Sequence, residues 1–572
     1  MRRVLEFFVL SVVLIASSCN RDEVITTPLP PNIILGNDDG CYVVKIGRTI
    51  EISLEVENNT EAEYIWQVDG LQRVVTATPD FEFTAEHIGT TYITFTAKTP
   101  YGSDSEELRV DVVELEIPTI KILDCDAVLP LGSSLKLNAV VGHSSLPTTV
   151  EWLVDGATVA EGQYYTFEAE SLGVVTLTAR ATNEDGAAEH STQIEVISPE
   201  EMPLEWEFES LELHTVVGRR LRIRPTAYST MEGVSYCWTS DNGTGSEAEF
   251  CYTPTYEGGH IVRGTISTIR EGKSVSIARE FTIYAHEEQA HRRPVVGTSS
   301  ADFERVMEYI PAPGQFIGDR KTAGFDGAEL TAEAATAYAQ RRLREGKYLS
   351  LGAFGGYIVV GFDHSITNGE GYDLAITGNS FDTSCEPGIV WVMQDENGNG
   401  EADDTWYELA GSETGANGTL EEYEVTYFRP TTDQSAVLWI DNRGGSGEVD
   451  YLKAFHDQPS YYPAWITSES YTLRGTRLEA RNYDASGNGS LWIQPPYDWG
   501  YADNYSEVDI ITDEGEARAN GFDIDNAIDF TGEAVKLSHI DFVKVQCAVQ
   551  SKSGWVGELS TEVLGIYDLM NN

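Results

Sequence analysis

Basic residues are scarce in this chain. Its 572 residues include 38 Lys and Arg against 92 Asp and Glu, a net charge of −54. Such a surface repels phosphate backbones, which argues against nucleic acid as a partner, while it favours solubility and attracts divalent cations. Cysteine is sparse too. There are seven, and none forms Cys-x-x-Cys, so zinc ribbons and dithiol redox chemistry have no support. Long apolar runs are missing: beyond the ten-residue stretch 7–16, nothing approaches the 18 residues a spanning helix needs. Catalytic signatures are lacking as well. The sequence has no Gly-x-Ser-x-Gly, no His-Glu-x-x-His and no cysteine beside a plausible base. The ten histidines are scattered, and His364 and His539 read as structural residues at strand edges. Carboxylates are too abundant to single out a glycosidase pair. No enzyme activity is expected.

What is present is a turn-rich, folded sequence with 52 glycines and 41% apolar residues, long enough for three to five domains. Period-two runs such as Thr49 to Val56 and Thr91 to Thr96 predict half-buried strands. A repeat runs through them. Tyr64-Ile65-Trp66-Gln67-Val68-Asp69-Gly70 returns as Val150-Glu151-Trp152-Leu153-Val154-Asp155-Gly156, and in weaker form as Tyr236-Cys237-Trp238-Thr239-Ser240-Asp241-Asn242-Gly243. The three tryptophans are evenly spaced by 86 residues, and Gly89, Gly173 and Gly258 each lead into a later strand. That period suits an immunoglobulin-like sandwich anchored on a buried strand tryptophan. The Trp-x-Val-Asp-Gly pattern resembles PKD-type domains, and domains are expected at 30–116, 117–198 and 199–286. Such arrays act as spacers. Residues 287–300 read as a polar linker. Cys237 and Cys251 are near enough in sequence to bridge neighbouring strands, a question geometry decides.

The N-terminus reads as a targeting segment. Arg2 and Arg3 precede the apolar run, and Ala16-Ser17-Ser18-Cys19 follows it. Small residues before a cysteine resemble the lipobox of bacterial lipoproteins, which implies a signal peptide at 1–18, lipidation of Cys19 and a tether at 19–29. Asn20-Arg21-Asp22-Glu23 resembles the export tag of Bacteroidota surface lipoproteins.

Residues 301–572 have a different texture. Thr331 to Glu345 predicts a helix, with a threonine cap, alanine-rich body, basic last turn and Gly346 as stop. Strand-like runs surround it, so the expected class is all-β and multidomain: tandem Ig/PKD-like sandwiches, then a larger jelly-roll-like sandwich with one helix. Within it, Asp395-Glu396-Asn397-Gly398-Asn399-Gly400-Glu401-Ala402-Asp403-Asp404 alternates oxygen donors around glycines. In an EF-hand-type count Asp395, Asn397, Asn399, Glu401 and Asp403 take positions 1, 3, 5, 7 and 9, and Asp404 is a further candidate donor. Position 12 is Trp406, so the closing glutamate is missing. A structural Ca2+ is expected, bracing the loop. Two aromatic stretches stand out: Tyr461, Tyr462 and Trp465 beside Pro459 and Pro463, and Tyr497, Trp499 and Tyr501 after Pro495 and Pro496. The prolines keep them out of central strands, so several rings are expected near the surface. There they either bind a flat ligand or plug the sandwich ends.

Six further segments, among them Ser350 to Ile366, Gly371 to Phe381, Asn520 to Asp525 and Gly554 to Gly565, together resemble the C-terminal module of Bacteroidota cell-surface lipoproteins with PKD-type repeats. The resemblance implies a lipid-anchored protein on the outer-membrane surface. It also implies capture of a small-molecule or glycan ligand, with some members associated with cobamide uptake by a TonB-dependent outer-membrane transporter. An adhesion or structural role, binding another protein, is the alternative.

Overall fold

The computed structural model describes residues 28–36, 40–69, 72–123, 127–142, 146–514 and 517–571. The proposed signal peptide and Cys19 lie outside them. Residues up to Glu116 form one compact unit and those from Ile117 onward another.

The first unit is a β-sandwich. Its main sheet has five strands in the order Cys41–Lys45, Gly102–Val113, Gly89–Thr99, Glu63–Val68 and Gln72–Thr76. Two short ladders, Thr49–Ser53 with Asp80–Thr84 and Asn32–Ile34 with Glu55–Glu57, supply the rest. Trp66 lies fully buried at the centre, its ring 4.2 Å from that of Phe95.

The same strand order recurs twice in the second unit. One sheet runs Ala127–Pro130, Gly186–Ile197, Gly173–Asn183, Thr149–Val154, Ala157–Glu161, and another runs Glu212–Val216, Lys273–His286, Gly258–Arg270, Ser235–Thr239, Thr244–Gly245. Trp152 and Trp238 occupy the place of Trp66, also fully buried. The Val-Asp-Gly motif has a backbone reason. Asp155 and Gly156 have φ of 46° and 83° and form the two-residue turn between Thr149–Val154 and Ala157–Glu161. Two successive positive φ values fit the primed hairpin turn that Asp-Gly favours. In the third copy Thr239 pairs with Thr244 across a four-residue loop, so that requirement lapses.

The large C-terminal part is a sandwich with a composite core. A six-stranded sheet runs Arg305–Ile310, Tyr357–Thr367, His539–Cys547, Gly388–Met393, Trp406–Leu409, Ala527–Ile528. A four-stranded sheet runs Ile510–Glu514, Ala517–Phe522, Leu374–Gly378, Gly565–Asp568. Ile358, Val360 and Val543 of the first share one apolar cluster with Leu374, Ile376 and Ile566 of the second. Another four-stranded sheet, spanning Leu420–Phe428 to Ser470–Arg477, has its own core around Tyr423, Tyr427 and Tyr461. The helix Ala332–Arg344 forms as expected, with Thr331 accepting from the Ala334 N–H. Among the described residues no helix is long and apolar enough to cross a membrane.

The second and third domains both rest on this part. Leu123 and Val140 pack with Phe428. From the third domain, four arginines within six residues reach across. Arg219 contacts Glu288, Gln394 and Glu396. Arg220 bonds Asp529, Thr531 and Glu533, while Arg222 and Arg224 share Glu422. The connector 287–300 is pinned too: Arg293 bonds Asp541 at 2.9 Å and the Phe362 carbonyl at 2.7 Å.

The bridge considered between Cys237 and Cys251 does not form. Cys237 faces Thr265 in the main sheet of its domain, whereas Cys251 faces Arg222 in a separate ladder. Both are exposed free thiols, because their strands belong to different sheets.

Candidate functional site

A cavity of about 470 Å³ opens in the C-terminal module. Its wall gathers residues distant in sequence. Glu386 precedes the strand Gly388–Met393, Glu562 pairs with Ser350 across a short ladder, and Glu558 follows the 3-10 turn Gly554–Val556. Asp503 stands behind them. One oxygen from each of Glu386, Asp503 and Glu562 lies within 4.8 Å of the others. The backbone is folded around this group. Asp503 accepts from the Asn379 and Glu562 N–H groups, each at 2.9 Å, and Glu386 from Ser560 N–H at 3.3 Å. Gly378 is what permits the approach, since a Cβ there would sit 2.9 Å from the Asp503 Cα.

Among the described residues none of Glu386, Asp503, Glu558 or Glu562 pairs with Lys, Arg or His. Burial therefore pushes their pKa values upward, Glu386 to about 7, Asp503 and Glu558 to about 8, and Glu562 well above its ordinary range. Two polar atoms on the cavity wall have no hydrogen-bond partner: Oε2 of Glu558, a residue 5% exposed, and Nδ1 of His456. At the mouth, Phe455 and Trp555 are 59% and 54% exposed, with ring centroids 6.3 Å apart. An acidic, desolvated wall beneath two exposed rings can accept hydrogen bonds from hydroxyls or hold a cation while the rings cover an apolar face.

The aromatic residues singled out in the sequence are elsewhere. Tyr461, Tyr462, Trp465, Tyr497 and Tyr501 are buried and Trp499 is half-buried, so the expectation of rings near the surface is corrected. The four tyrosines turn inward with the hydroxyl bonded to the backbone, Tyr461 accepting from Leu452 N–H at 3.2 Å, whereas Trp465 packs by its ring alone, its Nε1 buried without a partner. Tyr462 donates to the Ser468 carbonyl at 3.0 Å and Tyr497 to the Glu479 carbonyl at 2.7 Å, while Tyr501 accepts from Glu413 N–H at 2.9 Å. They plug the sandwich. The exposed pair that does flank a cavity, Phe455 and Trp555, gave no signal beyond their ring type.

In the 395–404 loop the donors are engaged with the loop itself. Asp395 accepts from Asn399 and Gly400 N–H groups, each at 3.0 Å, and Asn397 and Asn399 accept from Asn399 and Glu401 N–H. Asp404 accepts from Glu396 N–H at 2.8 Å, and both asparagine amides donate to Asp403. Glu401 pairs with Arg305 at 3.4 Å. Among the described residues, the carboxylates that converge on one point are those of the cavity, not those of this loop.

Residues 30–99 match the family model described as a PKD-like domain. No curated protein matches the chain in sequence. Among solved structures, fibronectin(III)-like modules of Clostridium thermocellum CbhA are 18% identical, with 30% of this chain and 98% of that one covered at a TM-score of 0.19. An I-band fragment of titin is 14% identical over 45% and 99%, at 0.21. Three N-terminal domains of the bacteriophage RB49 outer capsid protein Hoc are 11% identical over 45% and 99%, also at 0.21. The fold itself rests on the strand order described above. The Ig/PKD-like sandwiches of this chain agree with the PKD-like match over 30–99.

Proposed function

We propose that this is a surface lipoprotein, anchored to the outer membrane through Cys19, which captures an extracellular small ligand in the C-terminal cavity for delivery to a TonB-dependent transporter. One observation carries the reading: two exposed rings, Phe455 and Trp555, flank a concave wall that holds the buried Glu558 and Glu562 and the half-buried Glu386. Surface tryptophans above a cavity are the form a binding site takes when a ligand has one apolar face and several hydroxyls. A glycan meets that description. A corrinoid is several times larger than a hexose, and about 470 Å³ accommodates only a part of it. Glycans are therefore the preferred class and cobamides the second. The 395–404 loop holds a structural Ca2+ in this reading, bracing the edge of the six-stranded sheet.

The test is a thermal-shift and calorimetric screen of the full chain against a glycan panel, cobalamin and cobinamide, repeated with Trp555→Ala. A glycan that binds the wild type and binds the variant several-fold more weakly supports the reading. If nothing in either class binds at millimolar concentration while a cell-surface protein is retained, adhesion replaces it.

A further inference from the structure

The geometry points to a divalent-cation site of calcium's size at Glu386, Asp503 and Glu562, in the wall of the C-terminal cavity, which Glu386 and Glu562 line with Asp503 behind them. Three observations converge. The first is spacing. Oxygens bound to one Ca2+ at 2.3–2.6 Å cannot lie more than about 5.2 Å apart, and these three carboxylate oxygens fall within 4.8 Å of one another. The second is charge. Buried Asp and Glu are almost always paired, yet the buried Asp503 and Glu562 and the half-buried Glu386, with Glu558 beside them, have no basic partner among the described residues, and the side-chain hydrogen bond of Glu386 and Glu562 is to each other's carboxyl. The third is a neighbouring carboxylate outside the three. Glu558, 5% exposed, leaves Oε2 without a hydrogen bond while lining the same cavity. Its other oxygen accepts from Gln315 N–H at 2.7 Å, so the carboxylate is held in place rather than free to turn to water.

The surroundings suit a metal. Backbone N–H groups of Asn379, Ser560 and Glu562 bond the carboxylates, and Thr561 Oγ1 donates to the Glu386 carbonyl at 2.8 Å, orienting the ligands as outer-shell partners do. Calcium takes six to eight oxygens, and three carboxylates leave positions facing the cavity. Those positions suit vicinal hydroxyls of a sugar, which deepens the ligand reading and rests on it; cation uptake by itself does not.

The experiment is calorimetric titration of the full chain with CaCl2 after EDTA treatment, with no glycan present. Wild type, Glu562→Gln, Asp503→Asn and Asp395→Asn are compared. The cluster's equivalent of calcium, additional to that of the 395–404 loop, is lost from Glu562→Gln and Asp503→Asn and retained in Asp395→Asn, which loses only the loop's. Melting in EDTA guards against misfolding: Glu562→Gln melts no lower than wild type, because the amide keeps the shape and removes a crowded charge. The inference is overturned if the wild type takes up no calcium, if Glu562→Gln takes up as much as wild type, or if that variant melts well below wild type in EDTA. A glycan bound equally in calcium and in EDTA would refute the bridging role while sparing the capture reading.

Discussion

Trp465 and Trp555 make opposite predictions. Trp465 is 8% exposed and packs in the main core, its ring stacked 6.1 Å from that of Phe325 and 5.9 Å from that of Tyr309. Truncation to alanine removes a large buried ring and leaves a void, which costs about 3–5 kcal/mol. For a domain of this size one kilocalorie moves the melting temperature by about 2–4 °C, so Trp465→Ala lowers the transition of the C-terminal module by about 6–20 °C. Trp555 is 54% exposed on a short turn, so Trp555→Ala changes stability by no more than about 0.5 kcal/mol. Its effect is on ligand: losing one stacking surface costs about 0.5–1.5 kcal/mol of affinity, or roughly two- to twelvefold. Scanning calorimetry with glycan titration reads both quantities. If Trp465→Ala melts normally and abolishes binding, the burial argument fails and the aromatic loops become the site. If Trp555→Ala melts as low as Trp465→Ala, the mouth of the cavity is core.

Other substitutions test other parts of the structure. Gly264→Ala places a Cβ 2.7 Å from the Trp238 ring and destabilises the third domain by about 1–3 kcal/mol through overpacking, read by urea titration of Trp fluorescence. Asp395→Ala lowers the melting temperature in calcium and leaves glycan affinity unchanged wherever the protein is folded; complete loss of binding at an unaltered melting temperature refutes the bracing role. In native protein, iodoacetamide labels Cys237 and Cys251 and spares the buried Cys385 and Cys547 until denaturant is added, as mass spectrometry will report. Burial pushes the Lys544 ammonium, which sits over the Trp391 and Trp406 rings, from 10.5 down to about 8. Between those values the unfolded chain binds more protons than the folded one, so this group makes stability rise with pH across about 8 to 10.5. Lys544→Met removes that slope, and an unchanged slope refutes the assignment.

The scaffold was legible because its determinants are local. Trp66, Trp152 and Trp238 sit at one repeated position, Asp155-Gly156 marks a turn by its backbone alone, and Thr331 caps the helix Ala332–Arg344 within three residues. The cavity was not legible because its determinants are not local. Glu386, Asp503 and Glu562 come from three distant segments, and in a chain with 92 acidic residues nothing in their neighbourhoods distinguishes them. Proline beside aromatics correctly argued against central strands, but it says nothing about which way a ring turns. For Tyr462, Tyr497 and Tyr501 the hydroxyl's backbone partner decided that.

The arginines at 219, 220, 222 and 224 have a mechanical consequence. A chain with 38 basic residues places four of them on one patch of the third domain, each facing a carboxylate of the C-terminal module, Glu396 in the case of Arg219. The third domain is thus latched to the part that carries the cavity. Three of the pairs are partly open to solvent and weaken as salt rises, whereas the buried Arg219 contact does not. In dilute medium all four arginines contribute to holding the third domain against the module. In brine the outer pairs weaken first, and the joint is left to Arg219, to Arg293 of the connector and to the apolar contact of Leu123 and Val140 with Phe428.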